Sequence, residues 1–410
     1  MTARVQSRPD GYGLKIVMAL ENQPYPQDVR VCNDAQTLTA AGYDVTVLAP
    51  RAKGQPRREE VDDVAVRRYR LPEVAGAGGI ILEYAVACLQ LTLLLLDELR
   101  RGAVVIHLHN PPDLLFPVAA LARLTGRLIV FDHHDLAPEL YEQKFGGGWP
   151  VAILRWCERL TMRVAHMVLS ANESHRSLAL SRGGKSPADV VVVRNGPRNS
   201  TVVSNPRIRG RPIVDPKLCF VGALGSQDGV SVLPEVLAGL NAKGLQPTLT
   251  VVGDGPELAG IRARAKSLNV SEQIVFTGRV AHEVVSSLIE QADICLDVAP
   301  CNSLNHRSTM IKVGEYLAAG RPIVTFALEE TRRTAGDCAL YAPDSDLDSL
   351  CGLIEQLCGD PALRETLAKN GAERALALTW ERSAENLLDA YDRVGRRLAS
   401  APSGPSCKFA

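Results

Sequence analysis

The sequence predicts an α/β protein made of two doubly wound parallel-sheet domains facing a cleft. At 410 residues the chain is too long for one ordinary core and suits two domains of roughly 200 residues each. Short β-branched apolar runs alternate with helical periods, which is the pattern of βαβ units whose strands are covered on both faces. The alternation begins again near residue 217, after a stretch with no periodicity.

The strands of the first half are LKIVMAL (14–20), DVTVLAP (44–50), VAVRRYRL (64–71), AVVIHLH (103–109), RLIVFD (127–132), AHMVLSAN (165–172) and VVVVRNG (190–196), with a helix from Val29 to Ala41 between the first two. Residues 79–96, GIILEYAVACLQLTLLLL, read as a buried helix. Glu83 and Gln90 interrupt this run, and its unbroken part falls short of the roughly 20 residues that span a bilayer. A second reading lets the helix lean on an inner membrane face, where Arg67, Arg68, Arg70, Arg100 and Arg101 would meet anionic lipid. These elements make 1–196 the first domain, and the Pro-, Asn-, Ser- and Arg-rich segment 197–216 the linker. The second domain, 217–379, starts over with KLCFVGAL (217–224), TLTVVGDG (248–255), QIVFTGRV (273–280), ADICLDVAP (292–300), RPIVTFAL (321–328) and CALYAP (338–343). An amphipathic helix is expected over 380–398, packing back toward the first domain, with a flexible tail over 399–410.

Composition removes several function classes. Lys plus Arg and Asp plus Glu both number 46, so no basic excess exists to hold a nucleic acid, and a small or neutral partner is expected. Ten cysteines stand singly with no CxxC, which suits a reducing compartment rather than a zinc site or disulfide framework. The polar start MTARVQSRPDGYG carries no secretory pattern, so the expected location is the cytoplasm. Nothing in the pattern fixes an oligomeric state.

Candidate chemistry gathers in Ser303–Val324, SLNHRSTMIKVGEYLAAGRPIV. Ser308 or Thr309 can cap a helix MIKVGEYLAA that ends at Gly320 and Pro322. The uncompensated N–H groups and dipole at its start favour an anion, and Arg307 and Lys312 add full charges within reach. Glu315, about two turns in, can accept hydrogen bonds from vicinal ribose hydroxyls. Two glycine turns, FVGALGSQDGV with Gly222 and Gly225 and VVGDGPE, lead from strand to helix as diphosphate-approaching loops do. Neither matches GxGxxG or the P-loop, so a nicotinamide or ATP site is not supported.

In the first half, His107, His109 and Asn110 end one strand, and His133, His134 and Asp135 follow another. Both loops are expected to face the cleft. His107 and His109 share a face at a period of two, but the adjacent His133 and His134 diverge and no carboxylate at ligand spacing supports them, so no metal is assigned. The DSD at Asp344–Asp346 reads as a helix cap rather than a metal site.

Taken together, FVGALG…DGV, LTVVGDGPELAGIRARAKSL, IVFTGRV and STMIKVGEYLAAGRPIV resemble the donor domain of glycosyltransferase family 4, retaining enzymes with two Rossmann-like domains (GT-B). PQDVRV, GYDVTVLAP, HNPPDLL, FDHHDLAPELY and WERSAENLLDAY resemble a bacterial branch that builds surface polysaccharide. The resemblance implies metal-independent transfer of a hexose from a nucleoside-diphosphate sugar, the donor being a substrate and no cofactor being needed, to a glycan or lipid-linked acceptor. It implies that Glu315 holds the ribose, that His133 contacts the transferred sugar, and that Arg279 and Val280 lie by the base. Gly222, Gly225, Arg307, Ser308, Thr309 and Lys312 complete the donor side, and Asp28, Arg30, His109, Asn110 and Asp135 the acceptor side. Arg307 stands where many members carry a first glutamate, and Ala223 and Asp228 replace a usual Arg and Lys pair, so Lys312, Arg307 and the helix start are expected to carry the diphosphate. A soluble secondary-metabolite acceptor, or a non-catalytic or epimerase-like relative, are the alternatives.

Overall fold

The structure, a computed structural model, describes residues 13–72, 76–111 and 113–400. The polar start and the expected tail from residue 401 lie outside the described residues. The chain forms two compact units, one ending at Arg194 and resuming at Ser383, the other spanning Asn195–Arg382.

The first unit holds β1 (Lys15–Ala19), α1 (Val29–Ala40), β2 (Asp44–Pro50), β3 (Arg58–Val61), β4 (Val64–Tyr69), α2 (Gly76–Arg100), β5 (Val105–His109), α3 (Phe116–Leu124), β6 (Leu128–His133), α4 (Ala137–Phe145), α5 (Trp149–Val164), β7 (Met167–Ser170), α6 (Glu173–Ser181) and β8 (Val190–Val192). Its sheet runs β3-β4-β2-β1-β5-β6-β7-β8, parallel except for the β3–β4 hairpin. The run REEV that forms β3 is charged and half-exposed and gives no apolar signal. The signal it does give is the Asp62–Asp63 pair, both left-handed at φ 52° and 61°, as a two-residue hairpin turn requires. A short charged strand also suits a sheet edge.

The second unit contains β9 (Lys217–Val221), α7 (Leu233–Ala242), β10 (Thr248–Val252), α8 (Leu258–Ser267), β11 (Ile274–Gly278), α9 (His282–Gln291), β12 (Ile294–Asp297), α10 (Ile311–Ala318), β13 (Ile323–Phe326), α11 (Glu329–Ala335), β14 (Ala339–Ala342), α12 (Leu347–Gly359) and α13 (Pro361–Ala375). Its order is β11-β10-β9-β12-β13-β14. The order reverses between β9 and β12, and ligands of doubly wound sheets bind outside the strand ends at such a point. In the first unit the reversal falls between β1 and β5.

Three expectations need correction. The helix expected over 79–96 is only half-buried over residues 82–96: Ala87, Leu91 and Leu95 enter the core while Leu82, Leu89 and Leu93 face outward, because the run is apolar all round and only one stripe meets the sheet. The segment 197–216 is not a free connector. Val203 donates to the Ala318 carbonyl, Ile213 to Cys358, and Arg209 pairs with Asp293 and Asp215, so most of it is pinned to the second unit. The cap of α10 is Met310, with no side-chain bond; Ser308 Oγ donates instead to the Leu304 carbonyl.

The last helix, α14 (Trp380–Ser400), joins the first unit from Ser383 onward. Tyr391 Oη meets His107 Nδ1 at 2.9 Å, Asn386 donates to the Val192 carbonyl, and Arg397 reaches Asp189 and the His166 carbonyl.

Candidate donor site and the strand ends of the first unit

The second unit builds its site where β9 and β12 part. These strands pair only at Ile294–Leu218 and Cys295–Cys219. Beyond that point Val221 N–H donates to Tyr316 Oη at 2.8 Å, and the phenol donates to the Leu296 carbonyl at 3.2 Å. Tyr316 therefore fills the opening and fixes α10 above it. Val313 and Leu317 bury the same face of the helix.

With α10 fixed, Lys312 crosses to the turn after β9. Its ammonium lies 2.9 Å from Asp228 Oδ1, 3.6 Å from Asp297 Oδ1 and 4.4 Å from the centre of the Phe220 ring. Only 7% of the side chain is exposed. Gly222 makes the passage possible, since a Cβ there would stand 3.1 Å from Lys312 Cε and Nζ. A Cβ on Gly253 would collide with the Gly222 carbonyl oxygen, so the glycine of the second turn serves close packing of turn on turn. Gly225 precedes the short 3-10 turn Ser226–Asp228. Asn305 donates to the carbonyls of Gln227 and Pro300, both at 2.9 Å, and so ties the loop before α10 to that turn.

Glu315 lies in the second turn of α10, about one turn from its start and one turn after Lys312. Its side chain is 21% exposed and 3.9 Å from His282 Nδ1. Burial raises its pKa, against the pull of His282 and Lys312. Val280 packs on the same cluster as Val313 and Tyr316, and Arg279 is exposed at the end of β11. Ser308, Thr309 and Arg307 lie half-buried ahead of the helix. The result is a buried cation, a carboxylate and an uncapped helix start over a glycine turn. Such a set can hold a phosphate and a diol.

In the first unit most candidates are framework. Asp28 caps α1, accepting from the N–H groups of Arg30 and Val31. Arg30 binds both oxygens of Asp132 at 2.6 Å and donates to the Val193 carbonyl. His109 Nδ1 lies 3.0 Å from Asp132 Oδ2. Asn110 accepts from the N–H groups of His134 and Asp135 and donates to the Asp135 carbonyl, stitching the loops after β5 and β6 together.

The expectation that His133 offers its ring to the transferred sugar is corrected. Its ring is fully buried, with Nε2 2.9 Å from Glu158 Oε1, and Glu158 in turn is held by Arg182. Held in this way, the ring supports the strand end, and the accessible side chains there are His134, in part, and Asp135. Asp132, then Asp135, raise the His134 pKa against burial, to about 9. Asp346 caps α12, accepting from Ser349 N–H. Sequence reasoning passed over Tyr316, Asp297, Asn305, Glu158 and Asp34. Of these only Asp34, four residues after Arg30 on one helix face, had a readable spacing.

Two doubly wound parallel-sheet units of this kind are the architecture of the GT-B fold. Residues 27–196 match the glycosyl transferase 4-like domain, and residues 215–360 match glycosyl transferases group 1. The chain is a glycosyltransferase, built from these two domains. It is 21% identical to the 2-deoxystreptamine glucosyltransferase of Streptomyces kanamyceticus over 82% of this chain and 90% of that protein. Among solved structures it resembles sucrose-phosphate synthase of Thermosynechococcus elongatus (TM-score 0.74, 18% identity, 93% and 99% of the two chains). It also resembles WaaG, a glycosyltransferase of lipopolysaccharide biosynthesis (TM-score 0.69, 17% identity, 92% and 99%). No helix among the described residues is long and apolar enough to cross a membrane.

Proposed function

We propose that the chain transfers a sugar from a nucleoside-diphosphate donor, with retention, to a growing glycan or lipid-linked acceptor. The observation that carries the reading is the placement of Lys312 against the Gly222 turn, with Glu315 one turn further along α10, at the reversal point of the second sheet. Lys312 and the start of α10 hold the diphosphate, Glu315 accepts from the ribose hydroxyls, and Arg279 and Val280 border the base. In the reaction the bond from C1 to the diphosphate oxygen breaks while the acceptor oxygen bonds C1 on the same face. The acceptor proton passes to the departing diphosphate. Protein charge stabilises the leaving group and alignment does the rest.

A membrane-borne acceptor fits the outer faces of the first unit. Leu82, Leu89 and Leu93 face outward on α2. Trp149 and Trp156, 74% and 57% exposed, stand on α5 beside exposed Arg155, Arg159 and Arg163, a composition suited to the interface of an anionic bilayer. A soluble small-molecule acceptor is the second reading, favoured by the match over most of its length to a transferase acting on 2-deoxystreptamine. Mass spectrometry of products from a panel of nucleotide sugars, with lipid-linked and soluble acceptors in parallel, decides between them. Product from no donor in the panel would defeat both.

A further inference from the structure

Beneath the end of β5 the first unit gathers polar atoms that its own hydrogen bonds leave unserved. Asp34 is fully buried on α1, and neither of its carboxylate oxygens has a partner. His107 and His109 are buried beside it, ring centres 4.1 Å apart, and Nε2 of each is also without a partner. Buried polar atoms without partners are rare and costly. Here three neighbouring side chains each hold such an atom. Asp34, His107, His109 and Asp132 each offer a ligand atom within 4.8 Å of the others.

The remaining ring nitrogens are occupied. His107 Nδ1 meets Tyr391 Oη at 2.9 Å and His109 Nδ1 meets Asp132 Oδ2 at 3.0 Å. Metal-bound histidines characteristically fix their second nitrogen on an oxygen in this way, leaving the first free to ligate. Asp132 is already gripped by Arg30 on both oxygens, so it orients His109 and is not itself counted as a ligand. Two imidazoles and one carboxylate suit a borderline transition cation and not magnesium or calcium.

We propose that Asp34, His107 and His109 supply three ligands to a divalent cation of the zinc class, joining α1 to β5 inside the first unit and leaving one coordination position to a non-protein ligand. Ligand atoms around a tetrahedral zinc stand roughly 3.4 Å apart, given bonds of about 2.0–2.2 Å, so small side-chain shifts close the set. Because all three residues are buried, the ion enters as the unit folds and exchanges slowly.

Elemental analysis tests this on the full chain expressed with supplementary Zn2+ and desalted. The expected result is near-stoichiometric zinc in the parent and at least a 10-fold loss in Asp34→Asn and in His107→Gln. Asp34→Asn keeps shape and volume, and circular dichroism identifies any variant that fails to fold. Chain produced with Co2+ should show the visible absorption of a low-coordinate nitrogen and oxygen site. Parent protein carrying less than a tenth of an equivalent of zinc, or folded variants retaining as much as the parent, would overturn the proposal.

Discussion

Replacing Asp228 by asparagine should strengthen the binding of a nucleoside diphosphate. The Lys312 ammonium lies 2.9 Å from Asp228 Oδ1 and 3.6 Å from Asp297 Oδ1, so its charge is already matched before a ligand arrives. At an effective dielectric of about 20 the first attraction is roughly 6 kcal/mol before desolvation is subtracted, enough to hold the ammonium at the Gly222 turn. A diphosphate that takes this ammonium also meets Asp228 as a like charge. At about 6 Å, with an effective dielectric between 20 and 80, that repulsion is roughly 0.7–3 kcal/mol per phosphate charge. The Asp228→Asn substitution would keep the shape and an acceptor oxygen for Lys312 while removing the charge. Affinity for the diphosphate should rise about 10-fold, corresponding to about 1.4 kcal/mol. The bare nucleoside should bind as before. Calorimetric titration of parent and variant with both ligands measures this, with the thermal midpoint as a folding control. Unchanged or weaker diphosphate binding in a folded variant would refute the assignment of Lys312 to the phosphates.

The other expectations follow from the same geometry. Glu315→Gln should weaken nucleoside and nucleoside diphosphate alike, by roughly 1.5–3 kcal/mol. Since burial raises the Glu315 pKa, ribose-dependent affinity should fall as pH drops through that raised value, an effect the glutamine variant should lack in the same titration. His133→Ala should lower the unfolding free energy by about 2–3 kcal/mol, through a cavity and a lost bond to Glu158, with little change in donor KM; denaturant titration and steady-state kinetics read the two effects. Glu21 is buried, and burial together with Glu83 raises its pKa to about 7. The folded state thus holds this proton to higher pH than the unfolded chain. Stability that is complete below the ordinary carboxylate pKa falls as pH rises through about 7, by about 3 kcal/mol in all. Glu21→Gln should flatten that part of the profile in urea titrations at pH 5 and pH 8.

Much of the architecture was legible because parallel strands buried on both faces write themselves as apolar β-branched runs, and the runs expected over 44–50 and 217–224 appear as β2 and β9. Strand β3 was not legible, since an edge strand made of REEV has no apolar face to show. In the candidate donor site, Gly222, Lys312 and Glu315 could be found from their place between strand and helix. Asp228 could be seen only as a departure from a family pattern. That it pairs with Lys312 depends on two elements 84 residues apart, a separation no local period records. The fate of His133 was hidden for a similar reason, because Glu158 comes to it from α5, 25 residues on. A strand-end histidine reads the same whether it faces substrate or core.

The stereochemistry of transfer tests the central claim most directly. With a donor of known anomeric configuration, proton NMR of the glycoside product reads the configuration at C1, which the new glycosidic bond locks. Retention is the predicted result, because a leaving diphosphate held by Lys312 and the start of α10 receives the acceptor proton on the face it departs from. An inverted product would contradict that mechanism and require a base on the opposite face of the sugar.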